Sequence, residues 1–198
     1  RRGLPHHVVG TGSRRPRLTR TAALAAVLTV AGSLSGAGAQ VTAWPATLAF
    51  SRPEAVGGGV FVIERSGHVR LLSARGLAPS WSPDGRRLAY VAPALGGLPD
   101  VYVADADGKN RAPLTRTPAA GESTPKWAPD GRRLVVERYG RLLVIRADRR
   151  GERFLANGRE PAWSQRRNRI AFVGGAEDLY LVRPTGRGLR RLTATPAL

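Results

Sequence analysis

"SWSPDGRRLAY" occupies residues 80–90. It returns as "KWAPDGRRLVV" at 126–136 and, altered, as "AWSQRRNRIAF" at 162–172. Each copy reads as a tryptophan, a turn and an apolar strand. In Pro83-Asp84-Gly85 and Pro129-Asp130-Gly131 the proline presets φ, the aspartate bonds back to the backbone and the glycine takes a positive-φ corner. The apolar runs 88–91, 134–136 and 170–173 then read as strands.

Beyond each run comes a hairpin pattern, and the hairpins line up four times: "VFVIERSGHVRLLS" (60–73), "VYVADADGKNRAPLT" (101–115), "LLVIRADRRGERFLA" (142–156) and "LYLVRPTGRGLRRLT" (179–193). Each has a β-branched or aromatic run, a polar turn with glycine, and a second strand. Four short strands per repeat, at intervals of 46 and then 36 residues, are the signature of a propeller blade. An eroded first unit starts at Trp44, where "WPATLAF" keeps the tryptophan and the apolar run but lacks the Pro-Asp-Gly turn. The expected fold is therefore all-β: a β-propeller of four-stranded antiparallel blades at about 44–76, 77–119, 120–157 and 158–198. Each Pro-Asp-Gly joins the two inner strands of one blade, and each tryptophan fills the space between neighbouring sheets.

The run "PSWSPDGRRLAYVAPALGGLPDVYVADADGKNRAPLT" resembles the repeat of TolB-like, WD-related β-propellers, and the resemblance covers roughly residues 44–195. It implies a propeller of six or seven blades exported to the cell envelope, in a family whose namesake is a periplasmic partner in a protein complex that maintains the envelope. No partner-binding motif of that family maps onto residues of this chain. Four blades fall short of the family's number, and an open array leaves unpaired sheet edges at its ends. The expectation is an incomplete ring, with further blades favoured over closure by another chain.

Residues 1–39 read as an export signal, with domain 40–198 holding the blades. Arg14, Arg15, Arg17 and Arg20 precede the apolar "TAALAAVLTVAGSL", and Ala37-Gly38-Ala39 forms a small-residue cleavage site before Gln40. "SRRPRL" at 13–18 partly resembles a twin-arginine signal, with Arg17 where an aromatic is usual, so Sec and Tat routes both stay open. The implied location is periplasmic or extracellular, with membrane contact only through a retained signal.

The chemistry-bearing inventory is thin. The 198 residues include no cysteine, which excludes thiolate catalysis and cysteine-ligated zinc. Outside the signal the one histidine, His68, sits in a hairpin turn. "GSLSG" at 32–36 has Leu34 where a nucleophile elbow needs serine. Asp105-Ala106-Asp107-Gly108 hints at calcium but reads better as a hairpin corner, since a third ligand and a distant glutamate are missing. Gly57–Gly59 opens no helix and has no lysine behind it, so it reads as a blade loop rather than a phosphate loop. No catalytic residue, metal site or cofactor is expected.

Charge is more informative. The formal net charge is +18, and every basic residue except Lys109 and Lys126 is arginine. In an up-and-down blade the first and third turns share one rim. That rim gathers Arg86, Arg87, Arg132, Arg133, Arg149, Arg150, Arg166 and Arg167, against fewer acids, while the opposite rim balances its charges with Glu122, Glu137, Glu160, Glu177 and Asp178 among others. A one-sided positive field draws anionic partners. The sequence thus points to a non-catalytic interaction module that binds an envelope protein. The alternatives are a propeller gating a prolyl-oligopeptidase-like or dipeptidyl-peptidase-like serine hydrolase, and a binder of anionic envelope polymers through the basic rim. Nucleic acid is disfavoured, because no aromatics alternate with the bases to stack on.

Overall fold

The structure, a computed structural model, describes residues 48–52, 58–64, 66–94, 97–117, 120–175 and 177–194 together with the backbone of Thr29 and Val30. These residues form four antiparallel sheets, each a simple meander. The first holds β1 (Thr29–Val30), β2 (Leu48–Arg52), β3 (Gly59–Ile63) and β4 (Val69–Ser73). The second holds β5 (Leu77–Trp81), β6 (Arg87–Pro93), β7 (Pro99–Asp105) and β8 (Ala112–Pro113). The third runs through β9 (Glu122–Trp127), β10 (Arg133–Arg138), β11 (Arg141–Arg146) and β12 (Glu152–Asn157). The fourth runs through β13 (Arg159–Trp163), β14 (Ile170–Gly174), β15 (Asp178–Val182) and β16 (Arg190–Arg191). Together they are blades of an unclosed β-propeller, as the repeats foretold. β1 falls inside the segment read as an export signal. Trp44, from which the sequence starts the first blade, lies outside the described residues.

Alternation along each strand decides the packing, because successive side chains face opposite sides of a sheet. Leu88 and Tyr90 of β6 bury against Ala49, Val60 and Val62 of the first sheet, while Ala89 and Val91 turn to the third. Every seam between sheets closes on a tryptophan from the later sheet. Trp81 lies in the first seam, Trp127 in the second with Leu134 and Val136, and Trp163 in the third with Ile170 and Phe172. All three indoles are at most 7% exposed.

The inner strands share a local distortion. Ala78, Thr124 and Glu160 have φ of 49°, 46° and 52°, and each directly precedes a proline: Pro79, Pro125 and Pro161. The register between inner strand and neighbour shifts at each of these places. A β-bulge of this kind bends the strand and increases local twist. It therefore sets the tryptophan that follows two residues beyond each proline. Among the described residues no helix is long and apolar enough to cross a membrane.

Candidate functional site

The two turns of each blade come together on one rim, as the meander requires. The amide of Ala106 donates to the carbonyl of Arg86 at 2.8 Å, and that of Ala147 to the carbonyl of Arg132 at 2.8 Å. Aspartates brace these turns. The Asp84 carboxylate accepts from the Ser82 hydroxyl at 2.6 Å and the Arg86 amide at 3.1 Å. Gly85 takes the positive-φ corner at 68°, and Gly131 does the same at 63°. In the third sheet's outer turn Asp148 accepts from the Arg146 guanidinium and the Arg150 amide, which together hold its pKa down at about 2. Hydrogen bonding from Ser82 first, then from the Arg86 amide, likewise lowers that of Asp84.

The rim arginines divide into two kinds. One kind staples neighbouring sheets. The Arg87 guanidinium donates to the Gly131 carbonyl at 2.8 Å and lies 4.7 Å from the Trp127 ring centre, and Arg133 lies 5.5 Å from that of Trp163 while pairing with Asp130 at 2.7 Å. Arg70 donates to the carbonyls of Ala106 and Asp107, and Arg153 to that of Pro184. The other kind is exposed. Arg86, Arg132, Arg149, Arg150, Arg166 and Arg167 all reach solvent, and their guanidinium groups form no hydrogen bond or ion pair with described residues. A cleft of about 340 Å³ opens on this rim between the second and third sheets, lined by Arg87, Gly131, Arg132, Arg146, Ala147 and Asp148.

The sequence pairs Arg166-Arg167 with Arg86-Arg87, and the backbone corrects that alignment. The turns close by Ser82 N to Arg87 O, Ala128 N to Arg133 O and Ser164 N to Arg169 O. Arg169, half-buried like Arg87 and Arg133, therefore holds the stapling position. Arg166 and Arg167 stand where the other repeats have Asp-Gly. His68 is exposed in the β3–β4 turn, its amide donating to the Ser66 hydroxyl at 3.3 Å. Asp105 accepts from the Asn110 amide at 2.6 Å and Asp107 from the Lys109 backbone at 2.9 Å, so both brace a hairpin corner.

On the opposite rim the sequence treats Glu122 as one more balancing acid. It is instead 1% exposed and central to a polar network. Its carboxylate accepts from Thr115 at 3.1 Å, from Thr117 at 2.5 Å and from the Arg138 Nε at 2.8 Å, and Arg138 also grips Glu152 through both terminal nitrogens. Burial pushes the Glu122 pKa up, against these partners. Asp100, 6% exposed, accepts from Thr115 and Thr117 at 3.2 Å. The signal for half of this network was present. Asp100 with Thr115 recurs as Asp178 with Thr193, fifteen residues apart both times, and Thr193 donates to Asp178 at 3.2 Å.

With this geometry in place, comparison with solved structures agrees on the class. The chain aligns with a putative TolB from Agrobacterium tumefaciens at 19% identity and a TM-score of 0.63, over 73% of this chain and 60% of that one. A structure in a nidogen/laminin complex aligns at 13% identity and a TM-score of 0.63, over 75% and 60% respectively. A puromycin hydrolase S511A mutant complexed with PGG aligns at 22% identity and a TM-score of 0.56, over 68% of this chain and 26% of that one. The chain thus spans less than two thirds of each of these chains, and the likeness is one of fold: these are β-propeller blades. No protein-family model matches the chain, and no curated protein sequence does.

Proposed function

We propose that this chain is a non-catalytic interaction module, exported to the periplasm or beyond the cell, which holds an acidic face of a protein partner against its turn rim. One observation carries the reading: the guanidinium groups of the rim arginines that staple sheets are tied to neighbouring backbone or acids, while those of Arg86, Arg132, Arg149, Arg150, Arg166 and Arg167 are exposed and make no hydrogen bond to the described residues. Same-sign charge gathered on one face repels itself. Its use lies in steering an oppositely charged partner and fixing its orientation. The likeness to TolB and to a nidogen/laminin complex supports a protein partner. The basic, apolar, small-residue pattern of residues 13–39 supports export.

The test is titration of a labelled polyglutamate peptide into the purified chain at rising salt. Affinity should fall steeply with ionic strength, and the double variant Arg86→Glu/Arg132→Glu should weaken binding about tenfold or more, as reversing two charges in a shared field implies. Binding indifferent to both would remove the rim from the proposal. Turnover of ester or peptide substrates by the isolated chain would remove the word non-catalytic. A gating propeller of a serine hydrolase is the second reading, supported by the likeness to puromycin hydrolase. A G-x-S-x-G motif and a histidine encoded further along the same reading frame would decide for it.

A further inference from the structure

Two arginines of outer strands staple one sheet to the next. Arg70, the register partner of Val62 on β4, donates to the carbonyls of Ala106 and Asp107 in the second sheet's outer turn, at 2.9 and 3.1 Å. Arg153, the register partner of Val144 on β12, reaches the carbonyl of Pro184, the same place in the fourth sheet's outer turn. On β8 the corresponding position, opposite Val103, is Ala112. The second sheet therefore sends no outer staple to the third, and Ala147, the repeat equivalent of Ala106 and Pro184, receives none.

The cleft of about 340 Å³ opens in the seam where that staple is missing, and Ala147 forms part of its wall. Its size falls at the small end of the roughly 300–1,000 Å³ usual for ligand clefts. The lining decides the sign of what can enter. Guanidinium groups of Arg87, Arg132 and Arg146 meet a single carboxylate, that of Asp148, so two positive charges are in excess. Arg146 already neutralises Asp148 through Nε and one terminal nitrogen, and the Arg150 amide adds a third donor. Arg87 gives one terminal nitrogen to the Gly131 carbonyl, and the Arg132 guanidinium bonds to none of the described residues. A further cation would be repelled here, whereas an anion gains charge-assisted hydrogen bonds.

We propose that this cleft seats a carboxylate of the acidic partner: an aspartate or glutamate side chain enters between Arg87, Arg132 and Arg146, in the place that an outer arginine occupies in the neighbouring seams. The inference rests on the rim reading above and sharpens it. A field spread over six exposed arginines steers a partner, but a cleft between two sheets fixes where one of its side chains ends. Guanidinium forks suit that task, because two parallel N–H groups match the two oxygens of a carboxylate.

The labelled polyglutamate peptide, titrated at one low ionic strength, tests this with Ala112→Arg. That change restores the outer staple and adds a positive charge, so the two accounts of the rim differ in sign. A filled cleft should weaken binding about tenfold or more, whereas a diffuse field should hold or strengthen it. Arg132→Met and Arg166→Met remove the same charge from inside and outside the cleft. The first should weaken binding about fivefold or more and the second less than about twofold. Binding kept in Ala112→Arg, or equal losses in the two methionine variants, overturns the cleft and leaves the steering rim in place. Failure of the unaltered chain to bind the peptide overturns both. Free glutarate that competes as well as the peptide at equal carboxylate concentration would mark a site for a small acid and overturn the assignment to a partner's side chain.

Discussion

The seam between the second and third sheets and the seam between the third and fourth are built alike at one end and differently at the other. At the turn rim each buries a tryptophan beneath an arginine of the preceding sheet: Trp127 under Arg87, Trp163 under Arg133. At the far end the earlier seam holds Asp100, Thr115 and Glu122 around Arg138. The same three repeat positions in the later seam are Arg141, Ala156 and Gly158. The three differences make sense only together. A buried aspartate without its threonine donor, or a buried carboxylate without a cation, carries a desolvation penalty that nothing offsets. Where the acids are gone, Arg141 lies exposed, 4.9 Å from the Phe154 ring centre, and Gly158 leaves the space that Phe172 fills. The tryptophan end is the invariant packing unit of these blades. The polar end is exchanged as a set.

If that is right, the tryptophan end should give the largest effects and the same effect in both seams. Trp127→Ala and Trp163→Ala should each cost about 3–5 kcal/mol, the usual loss for a buried aromatic truncated to alanine. Urea midpoints of the two variants would check this, and a gap of several kcal/mol between them would break the equivalence of the seams. The polar end should then show the asymmetry. Arg138→Met strands Glu122 beside Asp100 and should cost about 3 kcal/mol, as removal of one partner of a buried ion pair does. Arg141→Met, at an exposed position of the later seam, should stay within about 0.5 kcal/mol. Equal losses at the two positions would mean that the network around Arg138 contributes no more than surface packing.

The tryptophan end was legible in the sequence and the polar end was not, for a physical reason. A tryptophan at a fixed distance from Pro-Asp-Gly carries both its burial and its turn in local residue types, so two intact copies and a worn third suffice to place it. Glu122 looks like any charged residue beside a loop. Its burial depends on Thr115 and Thr117 arriving from the preceding sheet and Arg138 from its own, which no local pattern records. The misplacement of Arg166 and Arg167 has a related cause. Once the Pro-Asp-Gly turn erodes to "QRRN", adjacent arginines look like the familiar pair, and only the backbone bond from Ser164 to Arg169 shows which arginine has kept the stapling place.

A smaller effect belongs to the later seam alone. A Cβ at Gly158 would press into the Phe172 ring and meet the Val173 carbonyl at 2.7 Å, at a φ of 159° that itself strains an L side chain, so Gly158→Ala should displace the ring and cost about 2 kcal/mol, in the range of overpacking a filled core. Gly151, with φ of 138° and open space around it, has no such wall to meet, and Gly151→Ala should register backbone strain alone, about 1 kcal/mol. A thermal melt of each variant separates the two costs. A Gly158→Ala loss no larger than that of Gly151→Ala would show that Phe172 can move aside and that this seam is less tightly filled than the distances say.

The smallest effect is a dependence on pH, and its sign differs between the two ends. Burial raises the Glu122 pKa above its ordinary 4.5, so the folded state holds that proton longer than the unfolded chain. The contribution to stability is full below about 4.5 and is lost as pH rises through the raised folded value. Asp148 runs the other way: lowered to about 2 from 3.8 by Arg146, it contributes above about 4, and that contribution disappears as pH falls towards 2. Urea midpoints taken at intervals from pH 2 to pH 8 should therefore flatten on the alkaline side in Glu122→Gln and on the acid side in Asp148→Asn. Each variant should leave the other flank unchanged, because the two groups sit at opposite ends of the third sheet and share no partner. An acid flank that moved with Glu122→Gln would mean that the carboxylate is held charged by Arg138 more strongly than burial opposes it. The polar set would then be an ion pair favoured at neutral pH, and its absence from the later seam would have to be explained by Phe172 alone.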